Sequence, residues 1–225
     1  MFDIIFISYQ ESNADKNWNS LVSRFPTAKR VHGVRGIHQA HIVAAKNCFT
    51  KMLWIVDGDA QVVNDFDFSY KPDRWNLDTV HVWRSQNPIN DMIYGYGGVK
   101  LFPRQLTIEM DVTKPDMTTS ISDKFCVMEE VSNITAFNTS EFETWKSAFR
   151  ECCKLSSKVI DKQKDSETQE RLHTWCTVGK DRQFGEYAIA GAKAGAVYGA
   201  RNKGNIDNLK EINDFDWLME KFNEQ

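Results

Sequence analysis

Three short apolar runs open the chain, FDIIFIS (2–8), AKRVHGV (28–34) and MLWIVD (52–57), and helical patterning separates them. Residues 15–24 read as a short helix ended by Phe25-Pro26. Residues 36–49 place Ile37, Ala40, Ala44, Ala45 and Cys48 near helical spacing, so one face can pack on a sheet. The first and third runs lack polar alternation, as strands covered on both faces do. Strand, helix, strand, helix, strand predicts an α/β core of parallel strands joined by crossovers. Ligands of such sheets bind past the carboxyl ends of the strands. SYQE and VDGDA both follow strand ends, so their polar residues are candidates for one shared site.

TVHVWRS (79–85) and IYGYGGVKLF (93–102) read as further strands. Residues 103–138 are mixed, with TTSIS and NITAFNTS reading as loops or short strands. Ser140 and Glu143 form a capping box ahead of the helix WKSAFRECCKL. KQKDSETQER reads as a solvated loop or helix face. Asp181 is a candidate cap for a helix through GEYAIAGAKAG, with Gly195 near its end and AVYG as a short strand; Asn213 is a candidate cap for DFDWLMEKF.

A chain of 225 residues with 41% hydrophobic and 26% charged content suits one soluble folded domain. No run of about eighteen apolar residues occurs, and Asp3 interrupts a start that lacks a basic segment. The expectation is a cytoplasmic protein that does not engage membranes. Five cysteines without C-x-x-C spacing exclude a disulfide framework or zinc cluster and predict reduced thiols. A net charge of -3 argues against a chain coated in basic residues and still allows a local cationic groove.

Asp57-Gly58-Asp59 ends the third run. Gly58 restricts the backbone little, so both carboxylates can turn toward one point. Hard divalent cations take oxygen ligands, and Mg²⁺ is usually held by one or two carboxylates together with substrate phosphates. Asp and Gly are equally good turn formers, so the residues alone leave a metal site and a plain turn both open.

The arrangement GIHQAHIVAAKNCFTKMLWIVDGDA, a small-residue helix leading into a hydrophobic strand that ends in D-x-D, resembles the nucleotide-sugar glycosyltransferases of the GT-A fold, in particular family 2 and the galactosyltransferase-like group. YGYGGVKLF resembles their glycine-rich acceptor segment, and GKDRQFGEYAIAGAKAGAVYG resembles their E-D element, although Lys180 stands where the first acid is common. The resemblance covers about two thirds of the chain. It implies a Rossmann-like α/β domain over 1–225, with a mixed, mainly parallel sheet flanked by helices and a helical C-terminal elaboration. Residues 1–102 would form the nucleotide-sugar half and 103–225 the acceptor-side and helical half.

By that resemblance Asp57 lies near the donor ribose and metal, Asp59 binds the Mn²⁺ or Mg²⁺ bridging the donor phosphates, and Asp181 is the catalytic base. Ser8, Tyr9 and Gln10 meet the nucleotide, with Tyr9 stacking on the base. Arg35, His38, Gln39 and Gly58 complete the donor side, the amides that open the second helix favouring anions. Tyr96, Gly97 and Gly98 face the acceptor. Arg35, His38 and Gln39 read equally as solvated residues, Asp181 as a helix cap, and the glycines as a strand bulge. Glu129 and Glu130 are reserve acids. Relatives often add a downstream histidine to the metal, and none follows His173.

TTSIS, SNITAFNTSEFETWKSAFREC and INDFDWL resemble small glycosyltransferases of tailed bacteriophages, which would work in the host cytoplasm. Some of these modify hydroxymethylated cytosine, which makes such DNA a candidate acceptor beside a polysaccharide or other soluble hydroxyl. DNA requires cations on one face, for which Lys29, Arg30, Arg35, Arg182, Arg201 and Lys203 are candidates. A metal-dependent nucleotidyltransferase or phosphohydrolase would also use strand-end aspartates, but the chain has no Walker glycine loop. A noncatalytic sugar- or DNA-binding module is the alternative outside enzymes.

Overall fold

A computed structural model describes residues 1–95, 97–159 and 164–224. The described chain divides into two compact units: residues 1–87, 93–112 and 117–136, and residues 88–92, 113–116 and 137–225 without the undescribed positions.

The first unit opens as the alternation predicts. Strand β1 (Asp3–Ser8) leads through α1 (Ala14–Arg24) to β2 (Lys29–His32), and α2 (Ile37–Lys46) leads to β3 (Met52–Asp57). The chain continues through β4 (Ala60–Val62), β5 (Val80–Gln86), β6 (Ile93–Tyr94), β7 (Val99–Pro103), α3 (Arg104–Ile108), α4 (Met117–Ile121) and β8 (Phe125–Thr135). One sheet has the order β2-β1-β3-β7-β5-β8-β4, with β6 paired to β5. Strands β1, β2, β3, β5 and β8 share one direction while β4, β6 and β7 oppose it. The sheet is therefore mixed, as expected, with five strands in one direction but four of the seven pairings among the described residues antiparallel.

Period-2 alternation explains how β3 is covered on both faces. Trp54 and Val56 join Ile4, Phe6, Leu21 of α1, Phe66, Phe68 and Trp83 in one apolar cluster. Leu53 and Ile55 join Ile5, Ala44 and Ala45 of α2, Val82, Phe102 and Met117 in the other. Burial of such side chains stabilises each by about 1.5–3 kcal/mol. With both faces filled, only the strand ends remain open for polar chemistry.

The second unit is helical: α5 (Glu141–Ser157), α6 (Asp165–Thr177), α7 (Gly185–Arg201), α8 (Ile206–Lys210) and α9 (Phe215–Asn223). Ser140 caps α5 by accepting from the Glu143 amide at 3.1 Å, while the Glu143 carboxylate pairs with Lys146 at 2.6 Å. Helix α7 packs on α5 through a glycine face. An added Cβ at Gly191, Gly195 or Gly199 would lie 2.3, 2.1 or 2.3 Å from the carbonyl oxygen of Trp145, Phe149 or Cys153. Spacing of four on both helices keeps these close approaches in line.

Four local expectations are corrected. AVYG continues α7, because the glycine face lets the helix stay against α5, and Gly195 is interior to it. TTSIS falls mainly in α4, whereas NITAFNTS runs from the end of β8 into a loop, as expected. Asp214 rather than Asn213 caps α9, accepting from the Asp216 and Trp217 amides. Asn213 instead ties Arg150 to the Pro115 carbonyl. Phe184, in the left-handed region, occupies the N-cap of α7, so Asp181 does not cap it.

Candidate functional site

In the first unit the carboxyl ends of β1 and β3 lie side by side, with Ile7 in register with Asp57. β1 ends at Ser8, still paired with His32 of β2, while Gly58 carries the chain off β3. Gly58 does not need positive φ; its value is space. A Cβ there would stand 2.7 Å from Glu11 Oε2, so the Glu11 carboxylate lies directly over the turn. Glu11 Oε2 accepts from the Tyr9 amide at 2.7 Å, and Asn17 Nδ2 donates to the Gly58 carbonyl at 3.0 Å. The loop after β1 and the first turns of α1 therefore clamp the aspartate turn.

The opposite side is held as firmly. The Asp57 amide donates to the Gly98 carbonyl at 2.8 Å, and the Ala136 amide donates to the Asp59 carbonyl at 2.8 Å. An added Cβ at Gly98 would meet Asn133 Nδ2 at 2.2 Å, and one at Gly97 would meet Thr135 Oγ1 at 3.1 Å. The glycines let the chain before β7 press against the polar end of β8. The structure thus brings Gly97 and Gly98 to the Asp57-Gly58-Asp59 turn. Tyr96 lies outside the described residues.

Asp57 is half-exposed, and its Oδ2 accepts from Lys100 Nζ at 2.5 Å. The lysine side chain is 9% exposed against 33% for the aspartate, so the ion pair is open on the acid side only. On the same side of the sheet lies His41 of α2, fully buried, its Nδ1 donating to the Ile37 carbonyl at 2.7 Å. That bond leaves Nε2 as the acceptor nitrogen, and it has no hydrogen-bond partner among the described residues. Burial first, and the Lys100 charge second, hold the His41 pKa down at about 4, so the ring is neutral at pH 7.

The remaining donor-side residues take different positions. Ser8 is buried, and its hydroxyl meets His32 Nδ1 at 3.0 Å and accepts from Arg30 Nε at 2.9 Å. Tyr9 is half-buried and Gln10 exposed beyond it. Arg35 is exposed between Gly33 and Gly36, both with positive φ. His38 Nε2 lies 3.3 Å from Ser120 Oγ, and Gln39 is exposed in the first turn of α2. Asp181 belongs to the second unit, on an exposed turn before α7.

Glu129 pairs with Arg84 at 2.6 Å, and Glu130 accepts from Trp83 Nε1 at 3.3 Å, so both reserve acids are engaged along β8. His173 is an exposed residue of α6. Of the six candidate DNA-binding cations, Lys29, Arg30 and Arg182 pair with Asp3, Asp15 and Asp91. All five cysteines are free thiols.

Among the described residues no group of three His, Cys, Asp or Glu side chains is arranged to hold a metal ion. The donor set at the turn is two carboxylates at a strand end. This fits a hard divalent cation that takes its other ligands from substrate phosphates and water, and does not fit a cation held by protein alone. Glu11 and Lys100 are the site residues that sequence reasoning missed. Glu11 has no signal beyond its place in SYQE, whereas a lysine inside the apolar strand VKLFP is visible in the sequence.

No protein-family model matches the chain, and no curated protein sequence matches it. Among solved structures, the chain is similar to a glycosyltransferase involved in the glycosylation of the major capsid of PBCV-1. The identity is 14%, the match covers 56% of this chain and 81% of the other, and the TM-score is 0.33. Among the described residues no helix is long and apolar enough to cross a membrane.

Proposed function

We propose that the protein is a glycosyltransferase that moves a sugar from a nucleoside-diphosphate sugar to an acceptor hydroxyl. The observation that carries the reading is the convergence on one turn at a strand's carboxyl end: Asp57 and Asp59, clamped by Glu11 and Asn17 on one side and joined to Gly98 on the other. The turn is fixed by the Asn17 side chain of α1, by the chain before β7 and by the end of β8.

In this reading Asp57 and Asp59 hold Mn²⁺ or Mg²⁺ together with the donor diphosphate. When bound, the cation supplies Lewis-acid stabilisation to the departing diphosphate oxygens. Asp57 orients the ribose side of the donor, and Tyr9 presents its ring to the base. Gly97 and Gly98 are proposed to border the acceptor side of Asp57, with the space over them closed by Thr135 and Asn133. Asp181 is proposed to take the acceptor proton. The proposed acceptor is hydroxymethylated cytosine in DNA, with polysaccharide or another soluble hydroxyl as the alternative.

The test is nucleoside diphosphate release from a panel of nucleotide sugars, with Mn²⁺ and with chelator, in the presence of hydroxymethylated or unmodified DNA. Release that needs both cation and acceptor supports transfer. Tight donor binding without turnover would make the protein a noncatalytic module.

A further inference from the structure

Lys100 is the least expected residue of the sheet. Its strand neighbours Val99, Leu101 and Phe102 are fully buried and apolar, and Lys100 itself is 7% exposed. Directly opposed residues of an antiparallel pair share a face, and so do residues two apart on one strand. Lys100 opposes Ile55, so it shares a face with Ile55 and with Asp57. Its ammonium travels along that face to the end of the strand and stops at Asp57 Oδ2. A buried ion pair is weak support for folding, because desolvation of both charges offsets their attraction. An apolar residue would pack in this strand at least as well, which leaves the lysine's charge to be explained by the site.

Its surroundings on that face do not supply a second negative charge from α2. His41, whose ring feels both Lys100 and Asp57, is neutral, and its bonded nitrogen is a donor. The ammonium therefore acts outward, on the aspartate turn. Asp57, Asp59 and the Glu11 carboxylate over Gly58 make the turn acidic, and the Lys100 ammonium, bonded to Asp57, offsets part of that charge. A divalent cation approaching Asp57 also meets an ammonium already bonded to one carboxylate oxygen, and like charges a few ångströms apart repel strongly where water is scarce. A donor diphosphate supplies further negative oxygens that outweigh this repulsion.

We propose that Lys100 is a positioning residue that makes cation capture at the Asp57-Gly58-Asp59 turn conditional on the diphosphate: the protein takes the metal with the nucleotide and holds it poorly alone. This rests on the reading of the turn as a donor site. The coupling is reciprocal, so cation and nucleotide each raise the affinity for the other. Removing the ammonium frees the Asp57 oxygen it bonds and lifts the repulsion, and the free protein then binds the cation more tightly. A purely structural lysine has the opposite signature, since its loss would loosen Asp57 and weaken every ligand.

The experiment is titration of the full chain with MnCl2, following free Mn²⁺ by electron paramagnetic resonance, without nucleotide and with saturating uridine or guanosine diphosphate in separate runs. For the wild type, Mn²⁺ bound beyond that taken up by the same nucleotide without protein shows an affinity at least about tenfold higher than in the absence of nucleotide. Without nucleotide, Lys100→Met binds Mn²⁺ about tenfold or more tightly than the wild type, and Lys100→Arg stays within about threefold of it. Circular dichroism establishes that each variant is folded; Lys100→Gln replaces Lys100→Met if the latter is not.

Wild-type protein that binds Mn²⁺ equally well with and without nucleotide overturns the inference. So does a folded charge-removed variant that gains no affinity for free Mn²⁺. Either result, with Mn²⁺ still binding the nucleotide complex, leaves the donor site standing. Absence of Mn²⁺ binding to all proteins under all conditions removes the donor-site reading as well.

Discussion

The buried imidazole of His41 makes acid sensitivity a direct consequence of the site's architecture. The ring is fully buried, its pKa is near 4, and the ordinary value is 6.5. The unfolded chain therefore takes up this proton first as the pH falls. Stability contributed by the neutral ring is complete above pH 6.5, is lost between 6.5 and 4, and falls no further once both states are protonated. At pH 5 the two pKa values correspond to a loss of about 2 kcal/mol relative to pH 7.5, against a total stability of about 5–15 kcal/mol. His81 shifts in the same direction through burial, but it is common to wild type and variant and cancels between them.

The perturbation is His41→Leu, which keeps an apolar body beside Phe102 and removes the proton acceptor. Loss of the Nδ1 bond to Ile37 costs about 0.5–1.5 kcal/mol at any pH, partly offset by removal of the unpartnered Nε2. Urea unfolding of both proteins at pH 7.5 and pH 5 reads the difference. The wild-type midpoint should fall relative to that of the variant by about 1 M urea between the two pH values. Parallel pH dependence in the two proteins would refute the claim that this ring stays neutral and buried in the native state.

Other outcomes follow from the same geometry. Gly195→Ala places a methyl group against the Phe149 carbonyl, so α5 and α7 must separate; melting should register a loss of about 1–3 kcal/mol despite the better helix propensity of alanine. Asp181→Asn should lower turnover by about 100-fold or more while nucleoside diphosphate affinity stays within about twofold by calorimetry, because general-base catalysis contributes on that scale. Turnover unchanged in that variant would return Asp181 to the role of an exposed turn residue.

The opening of the chain was legible because its strands are covered on both faces. MLWIV has no alternation to misread, and the small residues of IHQAHIVAA mark the face that packs on Ile5 and Ile55. Strand β8 was not, since its first half is mostly exposed and reads CVMEEV, without the apolar signal of a core strand. Its register against β5 also shifts on either side of Arg84. AVYG looks like a strand by composition, yet it is held helical by contacts of Gly191, Gly195 and Gly199 with α5, which no local propensity records.

At the site, the two aspartates and the neighbouring glycines were readable as a motif. The partners that give the motif its form were not. Glu11 reaches Gly58 only through the fold of the loop after β1, and Lys100 reaches Asp57 only through the antiparallel pairing of β3 with β7. Sequence spacing alone gave no reason to join residues 57 and 100.

Calorimetry of nucleoside diphosphate binding in the presence of Mn²⁺, for wild type and Asp59→Asn, tests the donor site most directly. The wild type should bind one nucleotide, and Asp59→Asn should bind it at least about tenfold more weakly while melting as the wild type does. Equal affinity in the two proteins, or no binding of any nucleoside diphosphate by the wild type, would contradict the account.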